Sequence, residues 1–315
     1  MTKILVTGGA GNIASALIAK LASRPENQIV IADNLLTGEL SKVPQHLDNV
    51  HFIKCDVNDY NDISPLFFAY NFEYVFHFAA VVGVQRTLQN PLWVLRDIRG
   101  IEHILNLSKN TGVRRVYFSS SSEVYGEPFE IPQNEHTTPL NSRLPYAIVK
   151  NVGEAFLKTY YREFGLNYLI FRFFNTYGPN QSEDFVVPRF IRQAMQNENI
   201  TIYGDGAQTR TFCYVDDNVE ACLNAHYTGA VENDTINIGS DDEYTIRELA
   251  EKVIEISGSK SRLVFLPPLQ EGDMTRRKPD VGKMRKLLDH DLVPLDEGIR
   301  RLIAHYQDRD STRPA

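Results

Sequence analysis

The chain has 315 residues, of which 43% are hydrophobic and 23% charged, and a net charge of −7. That length supports one large α/β unit or two modest domains with a full core. The acidic balance, without long basic runs, argues against a nucleic-acid partner. No apolar run approaches the roughly 18 residues a membrane span requires. Cys55, Cys213 and Cys222 are odd in number and lack a C-x-x-C pair, which fits reduced thiols and offers no metal cluster. Met1 leads directly into KILVTG, with no room for a signal peptide, so a soluble cytoplasmic protein is expected.

KILVT (3–7) reads as the first strand, followed by an amphipathic stretch to about Arg24 and then QIVIAD (28–33). HFIKCD (51–56), YVFHFAA (74–80) and RVYFSSS (115–121) are further apolar runs with helical material between several of them. A long helical stretch from near Tyr146 precedes NYLIFRF (167–173). Strands alternating with helices predict an α/β fold, a Rossmann-type doubly wound parallel sheet. The runs are continuously apolar, as in strands buried on both faces. Beyond residue 174 the texture changes: NTYGPNQSED and YGDGAQ are turn-rich, and TINIGS (235–240) reads as one more strand. TIRELAEKVIEI (245–256) and DEGIRRLIAHY (296–306) have helical spacing, with the polar loop PLQEGDMTRRKPD between them. The expected division is a dinucleotide domain over 1–173, with 211–240 returning to it. Residues 174–210 and 241–315 then form a smaller, interleaved substrate lobe, with the ligand cleft between the two.

TGGAGNIAS (7–15) follows the first strand and opens a helix. Gly8 permits the tight turn, and Gly11 lets backbone amides approach a pyrophosphate at the helix N-terminus. Ala14 stands at the third glycine position, where close helix–strand packing tolerates a methyl group. Asp33, 22 residues after Gly11, suits an adenosine ribose diol and repels a 2′-phosphate, so NAD is favoured over NADP. The bland alternative is that Asp33 only caps the turn DNLLTG. Asp56 could meet the adenine amino group or be an ordinary loop aspartate. Asn12, Ile13, Asn34, Val57, Ala79 and Ala80 complete the candidate cofactor set.

Tyr146 and Lys150 lie four apart in YAIVK, on one helix face, where an ammonium favours the phenolate and makes tyrosine usable as a base. Pro145 marks the helix start. Ser121, in SSSSEVYG (119–126) at the end of a strand, could hydrogen-bond a substrate hydroxyl and relay its proton to Tyr146, or belong to a plain serine-rich turn.

TGGAGNIAS, DNLLTG, HFAA, SSSSEVYG, YAIVK, FRFFNTYGPNQ, YGDGAQTRTFCYVDD and GDMTRRKPD occur in the order found in extended short-chain dehydrogenases/reductases. The chain resembles their nucleotide-sugar epimerase, dehydratase and decarboxylase branch from residue 3 to about 300. The resemblance implies NAD as cofactor and oxidation of a UDP-sugar at C4 to a ketone that is later reduced. It makes Tyr146 the base, Ser121 its partner, and Lys150 the group that tunes Tyr146 and binds the nicotinamide ribose. Asn175, Arg210 and Arg276 or Arg277 resemble diphosphate ligands, Tyr203 an aromatic near the base, and Ser122 and Arg189 join the substrate set. Guanidinium forks suit phosphate oxygens, although any one of these arginines could be a solvated surface charge.

Three reactions branch from a 4-keto sugar. Ser122–Glu123 stands where 4,6-dehydratases carry Asp–Glu, and serine is a poor general acid, so dehydration is disfavoured. Glu123 and RRKPD resemble UDP-glucuronate decarboxylases, while YAIVK and the GDMTRR loop resemble UDP-sugar 4-epimerases, which are favoured narrowly. A non-catalytic NAD sensor would not need Ser121, Tyr146 and Lys150 together. Asp97 replaces an expected asparagine and Asn12 an expected phenylalanine, both near the cofactor. The helices over 89–111 and 146–164 resemble those through which relatives form a homodimer.

Overall fold

The computed structural model describes residues 1–268 and 276–312. Its first half runs β1 (Thr2–Thr7), α1 (Asn12–Ala22), β2 (Asn27–Asp33), β3 (Val50–Lys54), α2 (Tyr60–Tyr70) and β4 (Tyr74–His77). It continues with α3 (Val84–Gln89), α4 (Pro91–Thr111), β5 (Arg115–Ser121), α5 (Pro145–Phe164) and β6 (Asn167–Phe173). These six strands and Asp234–Ile238 form one seven-stranded sheet, in the order 3-2-1-4-5-6 with Asp234–Ile238 beyond β6. Every pairing in it is parallel.

Parallel neighbours need crossovers, and the crossovers place helices on both faces. Strand side chains therefore alternate between two cores. Ile4, Val6, Ile29 and Ile31 pack with Leu17, Ile18 and Leu21 of α1 on one face. Leu5, Val30 and Ala32 pack with Phe67, Ile104 and Val149 of α2, α4 and α5 on the other. That double burial is why the strands read as unbroken apolar runs. The strand order turns back on itself between β1 and β4, which opens a crevice at the carboxyl ends of the strands.

α5 starts at Pro145 and ends at Gly165, which takes the left-handed conformation at φ 70°. It is held to the sheet by a buried network that the apolar pattern conceals. Arg172 of β6, 1% exposed, donates from Nε and Nη2 to the two oxygens of Glu154 on α5, at 2.8 and 2.6 Å. Ser120 of β5 donates to the same carboxylate at 2.6 Å, and Arg172 also donates to Tyr125 Oη at 2.8 Å.

The later chain adds helices Val186–Met195, Val215–Thr228, Ile246–Ser257 and Leu295–Thr312. It also adds the short pairs Thr176–Tyr177 with Cys213–Tyr214, Thr209–Thr211 with Glu243–Thr245, and Ile200–Tyr203 with Leu263–Leu266. Ile246–Ser257 opens with a capping box between Thr245 and Glu248, a signature visible in the sequence. The sequence reading passes over Val186–Met195 and Val215–Thr228. Both open without a capping side chain, at Phe185 and Tyr214, and the second interrupts its apolar stripe with buried Asp217 and Asn218. β3 and β4 stop short of their apolar runs, at Lys54 and His77, where the chain turns to line the crevice.

Candidate active site

The crevice is a cavity of about 620 Å³. One end is built by the glycine turn. Gly8 has φ +69°, and a Cβ there would lie 2.6 Å from the Ala79 backbone, so only glycine fits between β1 and the loop after β4. Gly11 caps α1 with no side chain, leaving the first-turn amides of the helix available to an anion. Asn12 and Ile13 line the same wall. The Asn12 Oδ1 is buried without a partner, and that side chain lies against Gly178.

Asp33, at the end of β2, accepts from the Ala10 amide at 2.9 Å and the Leu35 amide at 2.8 Å. Its carboxylate thus faces the glycine turn with lone pairs to spare. Asn34, Asp56, Val57, Ala79 and Ala80 also line the cavity. A Gly-only cradle, uncapped helix amides, an orphaned buried amide oxygen and a carboxylate one strand away together fit a dinucleotide.

At the other end the carboxyl terminus of β5 meets the first turn of α5. Ser121 Oγ accepts from the Glu123 amide at 3.2 Å, which leaves its own proton to donate to the Tyr146 hydroxyl bonded to it. Tyr146 is half-buried, and desolvation followed by the charge of Glu123 raises its pKa, while Ser121 and Arg277 pull it down. Lys150 lies with Nζ 5.7 Å from the Tyr146 ring centroid and 3.4 Å from Ser119 Oγ. Burial pushes the Lys150 ammonium down to about 8, with Asp97 acting in the opposite sense. Behind them Thr7 Oγ1 takes the Ala79 amide at 3.2 Å and stands 2.8 Å from His77 Nδ1.

Arg277 donates from Nη2 to Glu123 Oε1 at 3.0 Å, with side chains only 7% and 16% exposed. This pair stands beside Tyr146, and Ser122 and Asn175 line the same cavity. Asn175 is anchored by donating to the Thr211 carbonyl at 3.0 Å. The structure does not bring Arg189, Tyr203, Arg210 or Arg276 to this lining. Arg189 stands 5.8 Å from the Tyr203 ring centroid. Arg210 is buried and donates to the Thr209 carbonyl at 2.7 Å. Arg276 is exposed and grips Glu243 with two bonds of 2.6 Å. Residues 269–275 of the GDMTRR loop lie outside the described residues.

The sequence reading did not pick out Arg86, which lines the cavity and donates to Asp184 at 3.0 Å, or the pair Glu154–Arg172. The second had a signal: an arginine inside the apolar run NYLIFRF demands a buried partner.

A profile of the NAD dependent epimerase/dehydratase family matches residues 4–239. The chain belongs to that family. This epimerase/dehydratase uses NAD as its cofactor. It is 34% identical over 320 residues to UDP-N-acetyl-alpha-D-glucosaminuronate decarboxylase of Bacillus cytotoxicus, covering 97% of this chain and 98% of that one. It is 33% identical over 312 residues to UDP-glucuronic acid decarboxylase 1 of Danio rerio, covering 96% and 72% respectively. The solved structure of UDP-glucose 4-epimerase with UDP-glucose from Thermotoga maritima is similar at a TM-score of 0.92 and 31% identity, covering 98% of this chain and 99% of that chain. No helix among the described residues of the epimerase/dehydratase is long and apolar enough to cross a membrane.

Proposed function

We propose that the enzyme oxidises C4 of a UDP-linked hexuronate and releases its C6 carboxylate as CO₂. The observation that carries this reading is the Glu123–Arg277 pair beside Tyr146. NAD, when bound, accepts a hydride from C4 and returns it. Tyr146, as the phenolate that the Ser121 hydrogen bond favours, takes the C4 hydroxyl proton and becomes the neutral phenol. The 4-keto sugar is then a β-keto acid: the C5–C6 bond breaks, CO₂ leaves, and the electron pair remains at C5 until a proton arrives there. Arg277 orients the departing carboxylate, and Glu123 offsets its charge so that the ground-state anion is not held too tightly to leave. Tyr146 would give its proton back to the C4 oxygen as the ketone is reduced, which completes a UDP-pentose.

A UDP-sugar 4-epimerase is the second reading, favoured by the YAIVK text and by the likeness to the Thermotoga maritima epimerase. That reaction needs only oxidation, rotation of the keto sugar and re-reduction, and gives Glu123 no task. A panel of UDP-glucuronate, its N-acetylated counterpart, UDP-glucose and UDP-N-acetylglucosamine separates the two, read by product mass. Loss of CO₂ supports the first reading, and an isomer of unchanged mass supports the second. Turnover of none, with no transient absorbance near 340 nm, refutes both.

The proposal includes a homodimer in a reducing, cytoplasmic compartment. α4 and α5 expose Leu92 at 75%, Trp93 at 45%, Ile148 at 41% and Tyr161 at 42%, more apolar surface than two neighbouring helices leave to water unpartnered. Light scattering of the purified chain tests the dimer, and a monomer at micromolar concentration refutes it.

A further inference from the structure

Glu123 and Arg277 come from segments 154 residues apart, and their 3.0 Å contact is only one of the bonds that join those segments. Glu123 lies in the short helical turn Ser122–Tyr125 at the end of β5. Tyr125 closes that turn and is 1% exposed. Its hydroxyl donates to Asn237 Oδ1 at 2.7 Å and accepts from Arg172 Nη1 at 2.8 Å. Asn237 stands opposite Arg172 where Asp234–Ile238 pairs with β6, which sets both side chains against the same phenol.

Asn237 is fully buried, inside a strand that is otherwise apolar around it. Its Nδ2 donates to the Gln133 carbonyl at 2.8 Å and to the Asp280 carbonyl at 3.3 Å. Two carbonyls on one side fix which end of the amide faces the phenol. Gln133 is laced to the same segment, its amide donating to the Lys278 carbonyl at 2.7 Å and its carbonyl accepting from the Asp280 amide at 2.8 Å. Lys278 follows Arg277 directly. The bonds therefore close a ring, from Glu123 through Tyr125 and Asn237 to the strip 278–280, then to Arg277 and back to Glu123. Neither Tyr125 nor Asn237 is among the residues that line the cavity.

We propose that Asn237, acting through Tyr125, is a positioning residue that sets Arg277 against Glu123. An ion pair between two loops has many geometries, and one between two loops tied by buried hydrogen bonds has few. The ring thus aims the guanidinium at the place where a substrate carboxylate arrives. Asparagine suits the junction because its side chain supplies one acceptor to the phenol and two donors to the carbonyls. The catalytic consequence rests on the decarboxylase reading above, whereas the positioning itself does not.

The test uses Y125F and N237S in the full-length, NAD-saturated protein. The control is N27A, since Asn27 is also buried and donates to the Leu21 carbonyl, at the opposite end of the sheet. The first readout is hydrogen exchange at the Arg277 guanidinium, followed with nitrogen-15-labelled arginine and assigned with R277K. Exchange is expected to rise at least about tenfold in Y125F and N237S and to stay within about twofold in N27A. The second readout is CO₂ release from UDP-glucuronate. Its kcat falls about tenfold to 100-fold, the scale on which a misplacement of up to an ångström acts, while KM changes far less. Y125F keeps the aromatic ring and leaves Arg172 its bonds to Glu154, so it carries the test if N237S does not fold. Arg277 exchange within twofold of wild type in Y125F, or an equal rise in N27A, overturns the proposal. So does an unaltered kcat on a substrate that the wild type decarboxylates. Because the exchange is read without substrate, failure of the ring is distinct from failure of the decarboxylase reading.

Discussion

Replacing Gly8 with alanine attacks the cofactor cradle at its tightest point. The residue sits at φ +69°, where an L side chain costs about 1–2 kcal/mol. Its new Cβ would lie 2.6 Å from Ala79 Cα and N and 2.8 Å from the Phe78 carbonyl carbon. These are backbone atoms and cannot rotate away, so the loop after β4 must move, at an overpacking cost of about 1–3 kcal/mol. The total is about 2–5 kcal/mol. The displaced segment carries Ala79 and Ala80, which line the cavity, so part of that cost falls on binding. The expected outcome is a lower melting temperature and NAD affinity reduced at least about 30-fold, equivalent to about 2 kcal/mol. Calorimetric titration with NAD and thermal melts of the same preparation measure both. Gly165 is the control: its φ is +70° but nothing lies within 4 Å of a Cβ there, so G165A carries only the backbone term and keeps NAD affinity. A G8A protein that binds NAD within threefold of wild type would refute the steric reading of the cradle.

Glu154→Gln leaves Arg172 buried with its partner's negative charge gone. A loss of about 3–5 kcal/mol is expected, and about 10 °C in melting temperature; a shift under 2 °C would mean the network is not load-sharing as drawn. His77 and His226 are held neutral by burial, with pKa values lowered to about 3 and about 4. The unfolded chain binds those protons first, so the stability is fully present above about pH 6.5 and drains as pH falls toward 4. Each histidine contributes a loss of about 1.5 kcal/mol between pH 6.5 and 5, which denaturant unfolding at several pH values reads. H226Q should remove one proton's worth of that slope, and an unaltered slope contradicts the assignment. Burial pushes the Cys55 thiol up to about 12 and Cys213 and Cys222 well above the usual range. All three should resist iodoacetamide at pH 8 until the protein unfolds, and rapid alkylation of the native chain, counted by mass, is the contrary result.

The parallel sheet was legible because its strands are buried twice. Ile29–Ala32 and Ile4–Val6 carry no polar residue, and that texture has few structural meanings in a chain with helical spacing between such runs. The cradle was legible for a related reason: Gly8, Gly11 and Asp33 answer backbone and hydrogen-bond demands that recur wherever a pyrophosphate meets a helix. The chain beyond β6 was less so. Val215–Thr228 declares itself by neither a cap nor a clean stripe, because its buried positions include Asp217 and Asn218 satisfied by tertiary contacts, whereas Val186–Met195 lacks a cap and carries its stripe at Val187, Phe190, Ile191 and Ala194 past Pro188 in its first turn. Asn218 donates to Thr176 Oγ1 at 2.6 Å and Asp217 accepts from the Val293 amide at 2.8 Å, partners 42 and 76 residues away.

Pairing across such distances is also what the sequence withheld about the chemistry. Glu123 and Arg277 could each be named as site candidates, but nothing in either segment says that the guanidinium neutralises the glutamate, 154 residues off, rather than reaching a phosphate. Arg276, its neighbour, shows how little the text constrains the choice, since it turns outward to Glu243 in a surface pair worth about 0–1 kcal/mol. The decision between the two arginines is electrostatic. A buried guanidinium, 7% exposed at its side chain, requires a counter-ion before any ligand arrives, and Glu123 is the carboxylate that supplies it beside the base. That ion pair is drawn from separate elements, and on the decarboxylase reading it is the contact a substrate carboxylate displaces.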